Sequence, residues 1–266
     1  MTVPRAPLCV VPTFLRTTAD LDLLVRCLVS LWTTAPEAGV LVVDDGSPER
    51  PLLAPLASAI DELGYELIAK DENEGFSRAV NVGLQRALET GRDAVLVNAD
   101  IEFHEAGWLD RMVARTDTRG RPAAVVGARL LYPNGLIQHA GVFFAAASRA
   151  FWHRCQYGPA NLPEALTPVR CPVTAALQLI RHETLATIGV YDEGYRMAYE
   201  DVDYCLRVFE AGLDCIYEPS VCAVHHESVF RGRSTPTIEQ WQLESLLRLK
   251  EKWIGTDLSA FTPAIV

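Results

Sequence analysis

Four places along the chain set carboxylates, an amide or imidazoles at the ends of apolar or aromatic stretches. They are Asp44-Asp45-Gly46-Ser47, Asn98-Ala99-Asp100, Glu200-Asp201-Val202-Asp203 and His225-His226. A carboxylate such as Asp100 can hold a hard cation through oxygen, and Asp45 can accept a hydrogen bond from a base N–H. Imidazole beside carboxylate suits Mn²⁺ better than a cation that takes oxygen alone. Asp201, with Glu200 beside it and the aromatic approach "DEGYRMAY", has the surroundings expected of a general base.

Each cluster also has an ordinary structural reading. Asp, Gly and Ser begin turns, and acids favour helix N-termini by roughly 0.3–1 kcal/mol. For Asp203 this reading and a functional one stand level. Two adjacent histidines at the end of an alternating strand point to opposite sides, so one can face a site while the other faces away. "NEGFSRAVNVG" opens a helix with Asn73, Gly75 and Ser77. Asn or Ser there can simply cap the helix. The functional expectation puts Gly75 where a ligand passes the backbone, with Arg78 reaching toward a phosphate. Arg231 and Arg233 are further candidates to neutralise a diphosphate.

The elements that would position these residues are legible from hydrophobic period. "LCVVP", "GVLVVDDGS", "YELIAK" and "DAVLVNAD" read as strands. Between them, Leu21, Leu24, Val25, Leu28 and Leu31 repeat at helical spacing, as do Phe76, Ala79, Val80, Leu84, Ala87 and Leu88 before Gly91. Unbroken apolar strands alternating with helices predict an α/β fold with a parallel sheet covered on both faces. In such sheets ligands bind outside the carboxyl ends of the strands, where Pro12-Thr13, Asp44 to Ser47 and Asn98 to Asp100 would converge. After about residue 105 the rhythm changes. "AAVVGARLLYPNG" and "AALQLIRHETLATIG" read as further strand segments, around an irregular aromatic stretch at 145–172. Val202, Cys205, Leu206 and Phe209 mark a helix closed by Gly212, and "QWQLESLLRLKEKW" (240–253) a final helix. No repeat or linker interrupts the 266 residues, which predicts one domain with two halves.

Net charge is −10 and pI about 5.1, which argues against an electrostatic grip on nucleic acid. An anionic ligand would need a metal ion, a helix N-terminus or a few placed basic residues. The seven cysteines lack a C-x-x-C pair, and several lie in apolar runs. They read as small buried hydrophobes rather than a disulfide frame or zinc site. The N-terminus lacks a secretory pattern, and no stretch approaches ~18 uninterrupted apolar residues. The expected location is cytoplasmic, with peripheral contact at the inner face of a membrane left open.

With these residues in place, the chain resembles the family 2 glycosyltransferases of the GT-A fold, an inverting class that uses nucleotide-sugar donors. The resemblance covers roughly residues 7–234. It rests on "VVPTF", "VVDDGS", "NEGFSRAVNVGL", "NAD" at the place of the family's D-x-D motif, "LLYPNGLIQHAGV", "GVYDEGYRMAYEDVDYCLR" and "HHESVFRG" in the family's order. The pattern resembles in particular bacterial rhamnosyltransferase-like enzymes of cell-surface polysaccharide synthesis.

The resemblance implies a Rossmann-like, mostly parallel sheet flanked by helices, with a mixed-sheet acceptor half. The nucleotide-binding half would span about 1–104 and the acceptor and catalytic half about 105–234. A C-terminal helix and tail would occupy 235–266. It implies that Asp45 binds the base with help from Thr13 and the backbone near Pro12, and that Asp100 coordinates Mn²⁺ or Mg²⁺ on the donor diphosphate. Asp201 of the Glu200-Asp201 pair matches the catalytic base, and His225 a metal or diphosphate contact. Trp152 or His153 is a candidate for meeting the saccharide or glycoconjugate acceptor, and UDP or dTDP for carrying the sugar. Two departures stand out: Asn98 replaces the first acid of the D-x-D motif, and Phe14-Leu15 replaces the usual Tyr-Asn. Asn98 can still contact ribose or a water beside the ion. A nucleotidyltransferase would call for a Gly-rich basic loop after the first strand, which "VPTFLRTTAD" does not supply. An inactive nucleotide-sugar binding module gains some support from Asn98 and loses it to the Glu200-Asp201 pair.

Overall fold

The computed structural model describes residues 5–116, 122–147, 150–227, 236–261 and 263–265. Four apolar segments form parallel neighbours: β1 (Leu8–Thr13), β2 (Gly39–Asp44), β3 (Glu66–Ala69) and β4 (Ala94–Val97). Their order is β3-β2-β1-β4. Thr13 lies opposite Asp44, and Asp44 opposite Ala69, so β1, β2 and β3 finish together at one edge.

Alternate residues of β1 enter different cores. Leu8 and Val10 pack with α3 (Phe76–Glu89), α5 (His182–Ile188) and α6 (Glu200–Glu210). Cys9 and Val11 pack with α1 (Thr18–Thr34), α2 (Leu53–Leu63) and α4 (Trp108–Thr116). A sheet dry on both faces needs apolar residues at every position, which is why β1, β2 and β4 show no alternation, while the edge strand β3 is partly exposed. Gly83 lets α3 approach closely, because a Cβ there would come within 2.2 Å of Val10.

The sheet continues past β4 with a change of direction. The remaining strands are β5 (Ile101–Glu102), β6 (Ala123–Leu131), β7 (Ile137–His139), β8 (Val142–Ala145), β9 (Ala150–His153), β10 (Val169–Arg170), β11 (Leu177–Ile180), β12 (Asp214–His225) and β13 (Ala264–Ile265). β11 runs antiparallel between β4 and β6, and β12 runs parallel to β6. Among the described residues one eleven-stranded mixed sheet results, with β8 and β9 forming a separate antiparallel pair. The short pairing of β5 with β12 sets His225 opposite Ile101, one residue beyond Asp100.

Some expectations from sequence need correction. In "AALQLIRHETLATIG" only Leu177–Ile180 is strand, and His182–Ile188 is helix. Asp93 Oδ1 accepts the His182 N–H at 2.7 Å and starts that helix. Helices α2 and α4 lie where no element was expected. The final helix, α7 (Pro236–Lys252), begins at a proline, which suits a first turn that has no use for its N–H. All seven cysteines are free, five of them buried. Among the described residues, no helix is long and apolar enough to cross a membrane.

Candidate active site

A cavity of about 460 Å³ opens beyond the carboxyl ends of β1, β2 and β4. Its walls come from far-apart parts of the chain, including β7, β12, α6 and α7. The volume falls within the range of small-molecule sites. Among the described residues, every one singled out above for the donor, the cation or the base lines it except Arg78.

At the nucleotide edge, the two aspartates of "DDGS" divide their work. Asp44 is fully buried and accepts hydrogen bonds from the Ser47 hydroxyl and backbone, while Ser47 Oγ accepts the Leu15 N–H at 2.6 Å. That pair holds the turn shape. Asp45 instead lines the cavity. Its carboxylate receives Lys70 Nζ at 2.6 Å, the Gly75 N–H at 2.8 Å and the Glu74 N–H at 3.1 Å. Burial works to lower the Lys70 pKa, yet hydrogen bonds to Asp45 and Glu74 outweigh it and leave the ammonium more firmly protonated than usual. Thr13 Oγ1 and Asn73 Oδ1 are buried without hydrogen-bond partners among the described residues. Both residues line the cavity, so ligand groups can satisfy them.

Gly75 has φ +99°, and a Cβ there would lie 2.8 Å from the Arg196 carbonyl oxygen. Its close neighbour is therefore the protein's own 196 main chain, not only a passing ligand. Arg78 is turned away from the cavity. Glu74 at 2.8 Å and Glu193 at 3.3 Å draw its guanidinium to the surface, so it is not placed to reach a phosphate. Arg231 and Arg233 lie outside the described residues.

Just past the carboxyl end of β4, Asp100 and His225 meet. Asp100 Oδ1 lies 3.1 Å from His225 Nε2, and both side chains are nearly inaccessible outside the cavity. Asn98 Nδ2 is 3.4 Å from the same ring nitrogen, and Asn98 Oδ1 is buried without a hydrogen-bond partner among the described residues. His226 points elsewhere and meets Glu102 at 3.0 Å. Among the described residues no cluster of three or more acidic, His or Cys side chains could hold a metal ion by itself. Asp100 and His225, with the orphaned amide oxygen of Asn98 beside them, still fit a divalent cation. Such ions commonly take one or two protein ligands and fill other positions from substrate phosphates. Among the described residues the lining favours this: five carboxylates (Asp45, Asp100, Glu200, Asp201, Glu227) stand against two arginines, a poor lining for an anion without added positive charge.

Asp201 occupies the first turn of α6, with Glu200 buried beside it. Ala175 N–H donates to its Oδ2 at 3.2 Å, and Val202 N–H to its Oδ1 at 2.7 Å. These bonds aim the carboxylate and leave lone pairs for an acceptor proton. The two residues before Glu200, Ala198 and Tyr199, have φ of 67° and 66°. Positive φ is costly away from glycine, and such strain persists where the surroundings hold it, often at functional sites. Asp203 does not face the cavity. It is fully buried and ties α6 to α7, which settles that carboxylate as structural.

Three lining residues were given no role from sequence. His139 is fully buried, and its Nδ1 lies 2.7 Å from His153 Nδ1, while its Nε2 accepts the Thr174 N–H at 3.5 Å. Arg196 stacks on the indole of Trp241 from α7 at 4.2 Å and donates to the Asn73 carbonyl. Gln138 contacts His225. The first and last lie in "LLYPNGLIQHAGV" and Arg196 in "DEGYRMAY", stretches noticed for their pattern without a function attached. Of the two acceptor candidates, His153 lines the cavity and Trp152 is exposed outside it.

Residues 8–151 match the family described as Glycosyl transferase family 2. An O-antigen biosynthesis protein, RfbC, of Myxococcus xanthus is 29% identical over 92% of this chain, which spans only 18% of that protein. An N-acetylglucosaminyl-diphospho-decaprenol L-rhamnosyltransferase of Mycobacterium tuberculosis is 27% identical, over 77% of this chain and 71% of its own length. Among solved structures, GalNAc-T7 with UDP, GalNAc and Mn²⁺ superposes with a TM-score of 0.69 at 18% identity, covering 95% of this chain and 49% of that one. The mannosyltransferase PcManGT of Pyrobaculum calidifontis, in complex with GDP-Man and Mn²⁺, gives 0.59 at 17% identity, covering 95% and 72%. These two likenesses identify the fold as GT-A.

Proposed function

The chain belongs to glycosyl transferase family 2, and we propose that it moves a sugar from a nucleoside-diphosphate donor to a hydroxyl acceptor with inversion, using Asp201 as general base. The observation that carries this reading is the gathering of Asp45, Asp100, Asp201 and His225 around one cavity. Asp45 and Thr13 receive the nucleoside, UDP or dTDP being the expected carriers. Asp201 takes the proton of the acceptor hydroxyl as that oxygen bonds to the anomeric carbon. The bond from that carbon to the diphosphate oxygen breaks on the opposite side, and its electron pair leaves with the nucleoside diphosphate. The backbone N–H groups of Ala175 and Val202 keep the Asp201 carboxylate oriented throughout. Glu200 is buried beside it and lines the same cavity.

Asp100 and His225 would hold Mn²⁺ or Mg²⁺, which when bound supplies positive charge to the departing diphosphate. The relatives' names support a saccharide or glycoconjugate acceptor in cell-surface polysaccharide synthesis; the cytoplasmic side of the membrane is the location this reading proposes. The test is a panel of nucleotide sugars with Mn²⁺, read as release of nucleoside diphosphate. Release that rises on adding a saccharide acceptor is expected; pyrophosphate release instead would overturn the reading in favour of nucleotidyl transfer.

A further inference from the structure

Gln138 sits on β7, a strand with no part in the mechanism above, yet its side chain reaches the cation end of the cavity. It is 3% exposed and makes two directed hydrogen bonds. Its Nε2 donates to Glu227 Oε2 at 2.8 Å. An ionised carboxylate only accepts, so this contact fixes which end of the amide is nitrogen. The other end, Oε1, lies 2.6 Å from His225 Nδ1. An amide oxygen also only accepts, so the hydrogen between them belongs to His225 Nδ1.

The consequence appears on the opposite side of the ring. With Nδ1 protonated, the neutral imidazole has a lone pair on Nε2, the nitrogen 3.1 Å from Asp100 Oδ1. Asn98 Nδ2, 3.4 Å away, can donate to that lone pair; Asp100 cannot. An imidazole lone pair and a carboxylate oxygen thus face each other, an arrangement that a shared cation satisfies. Without an acceptor opposite Nδ1, another arrangement opens. The neutral ring could carry its hydrogen on Nε2 and donate it to Asp100, which would occupy both ligands with each other.

We propose that Gln138 and Glu227 are positioning residues that hold His225 in the tautomer whose Nε2 coordinates the divalent cation together with Asp100. This rests on the cation reading given above. The residue setting a ligand's tautomer through its other ring nitrogen ordinarily matters about 10–100-fold in metal affinity.

The experiment titrates Mn²⁺ alone into the full chain and follows the paramagnetic resonance of the free ion. The variants are Gln138→Met and the double change Gln138→Glu with Glu227→Gln. Methionine keeps the length and loses the acceptor. The double change keeps an acceptor opposite Nδ1 and a hydrogen bond to position 227, with the second bond reversed. We expect Gln138→Met to weaken Mn²⁺ binding about 10–100-fold and the double variant to stay near wild type. In metal-free protein, ¹⁵N spectra should show His225 Nε2 unprotonated in wild type and in the double variant, and altered in Gln138→Met. Wild-type protein that binds no Mn²⁺ would remove the cation reading itself. Intact wild-type binding with equal affinity in Gln138→Met overturns the positioning role alone. So does a double variant that loses affinity despite a folded thermal profile, because packing rather than hydrogen-bond polarity would then decide. If Gln138→Met does not fold, the wild-type and double-variant ¹⁵N spectra decide: a protonated Nε2 in either sinks the proposal.

Discussion

Lys252 Nζ, near the end of α7, lies 2.9 Å from the carboxylate of Asp203, two residues past the proposed base in α6. Tyr195 Oη at 3.1 Å, Arg207 Nε at 3.2 Å and Trp253 Nε1 at 3.0 Å complete the shell around that buried acid. The last helix is therefore fastened to the helix that aims Asp201. Removing one partner of a buried charged network leaves the others unpaired, at a cost of about 3–5 kcal/mol. Asp203→Ala should lower the thermal midpoint by many degrees. A midpoint within a degree or two of wild type would show that α7 docks by other means.

Asp201→Asn removes the base and keeps the size and one of the two backbone hydrogen bonds. Donor binding measured by calorimetry should be close to unchanged, while the transfer rate falls about 10²–10⁴-fold, the usual worth of a positioned general base. Full transfer activity in this variant would take Asp201 out of the role.

Asp100→Ala acts on a different term. It removes a proposed cation ligand and leaves His225 alone, so donor affinity should lose its dependence on Mn²⁺. Donor titrations with and without the ion would then coincide. A metal effect that persists undiminished would place the ion elsewhere.

His139 carries a pH dependence whose sign can be worked out. Burial, and then the neighbouring His153, Arg154 and His225, hold its pKa well below the ordinary 6.5. Below that ordinary value the unfolded chain takes up the proton and the folded chain resists it. Stability therefore falls as pH drops below about 6.5, by up to about 1.4 kcal/mol per pH unit from this group. Chemical denaturation between pH 7.5 and about 5 checks this, with His139→Gln expected to flatten the slope. Equal slopes in the two proteins would mean that other groups control this range.

Much of this architecture was legible because two-sided burial writes itself plainly. Val10, Val11, Val42, Val43, Val95 and Leu96 sit in strands with both faces covered, so only the strand ends could be polar. Those ends are Thr13, Asp45 and Asp100. Arg78 carried a similar signal, one turn into a glycine-started helix, but the rotation of α3 puts it beside Glu74 and Glu193. Helix α2 had a readable stripe in Leu53, Leu56 and Ile60 ahead of Gly64. Helix α5 was harder, since "HETLATI" is short and β-branched residues suit strands equally. Gln138 could not be found from its own surroundings. Its partners lie 87 and 89 residues further along the chain, and only the fold reveals which hydrogen it receives.

The ladder that runs unbroken from β4 through β11 and β6 to β12 limits how this protein can open. The strands behind the donor wall and the strand that carries His225 are rungs of the same hydrogen-bonded sheet, with Asp201 on α6 beside it. They cannot part like jaws without tearing main-chain bonds across the middle of the protein. Substrate traffic must pass the rim instead, where the strained backbone of Ala198 and Tyr199 and the Arg196–Trp241 stack stand at the threshold. A cross-link joining β11 to β6 should leave turnover untouched, whereas one tethering residue 196 to residue 241 should throttle it.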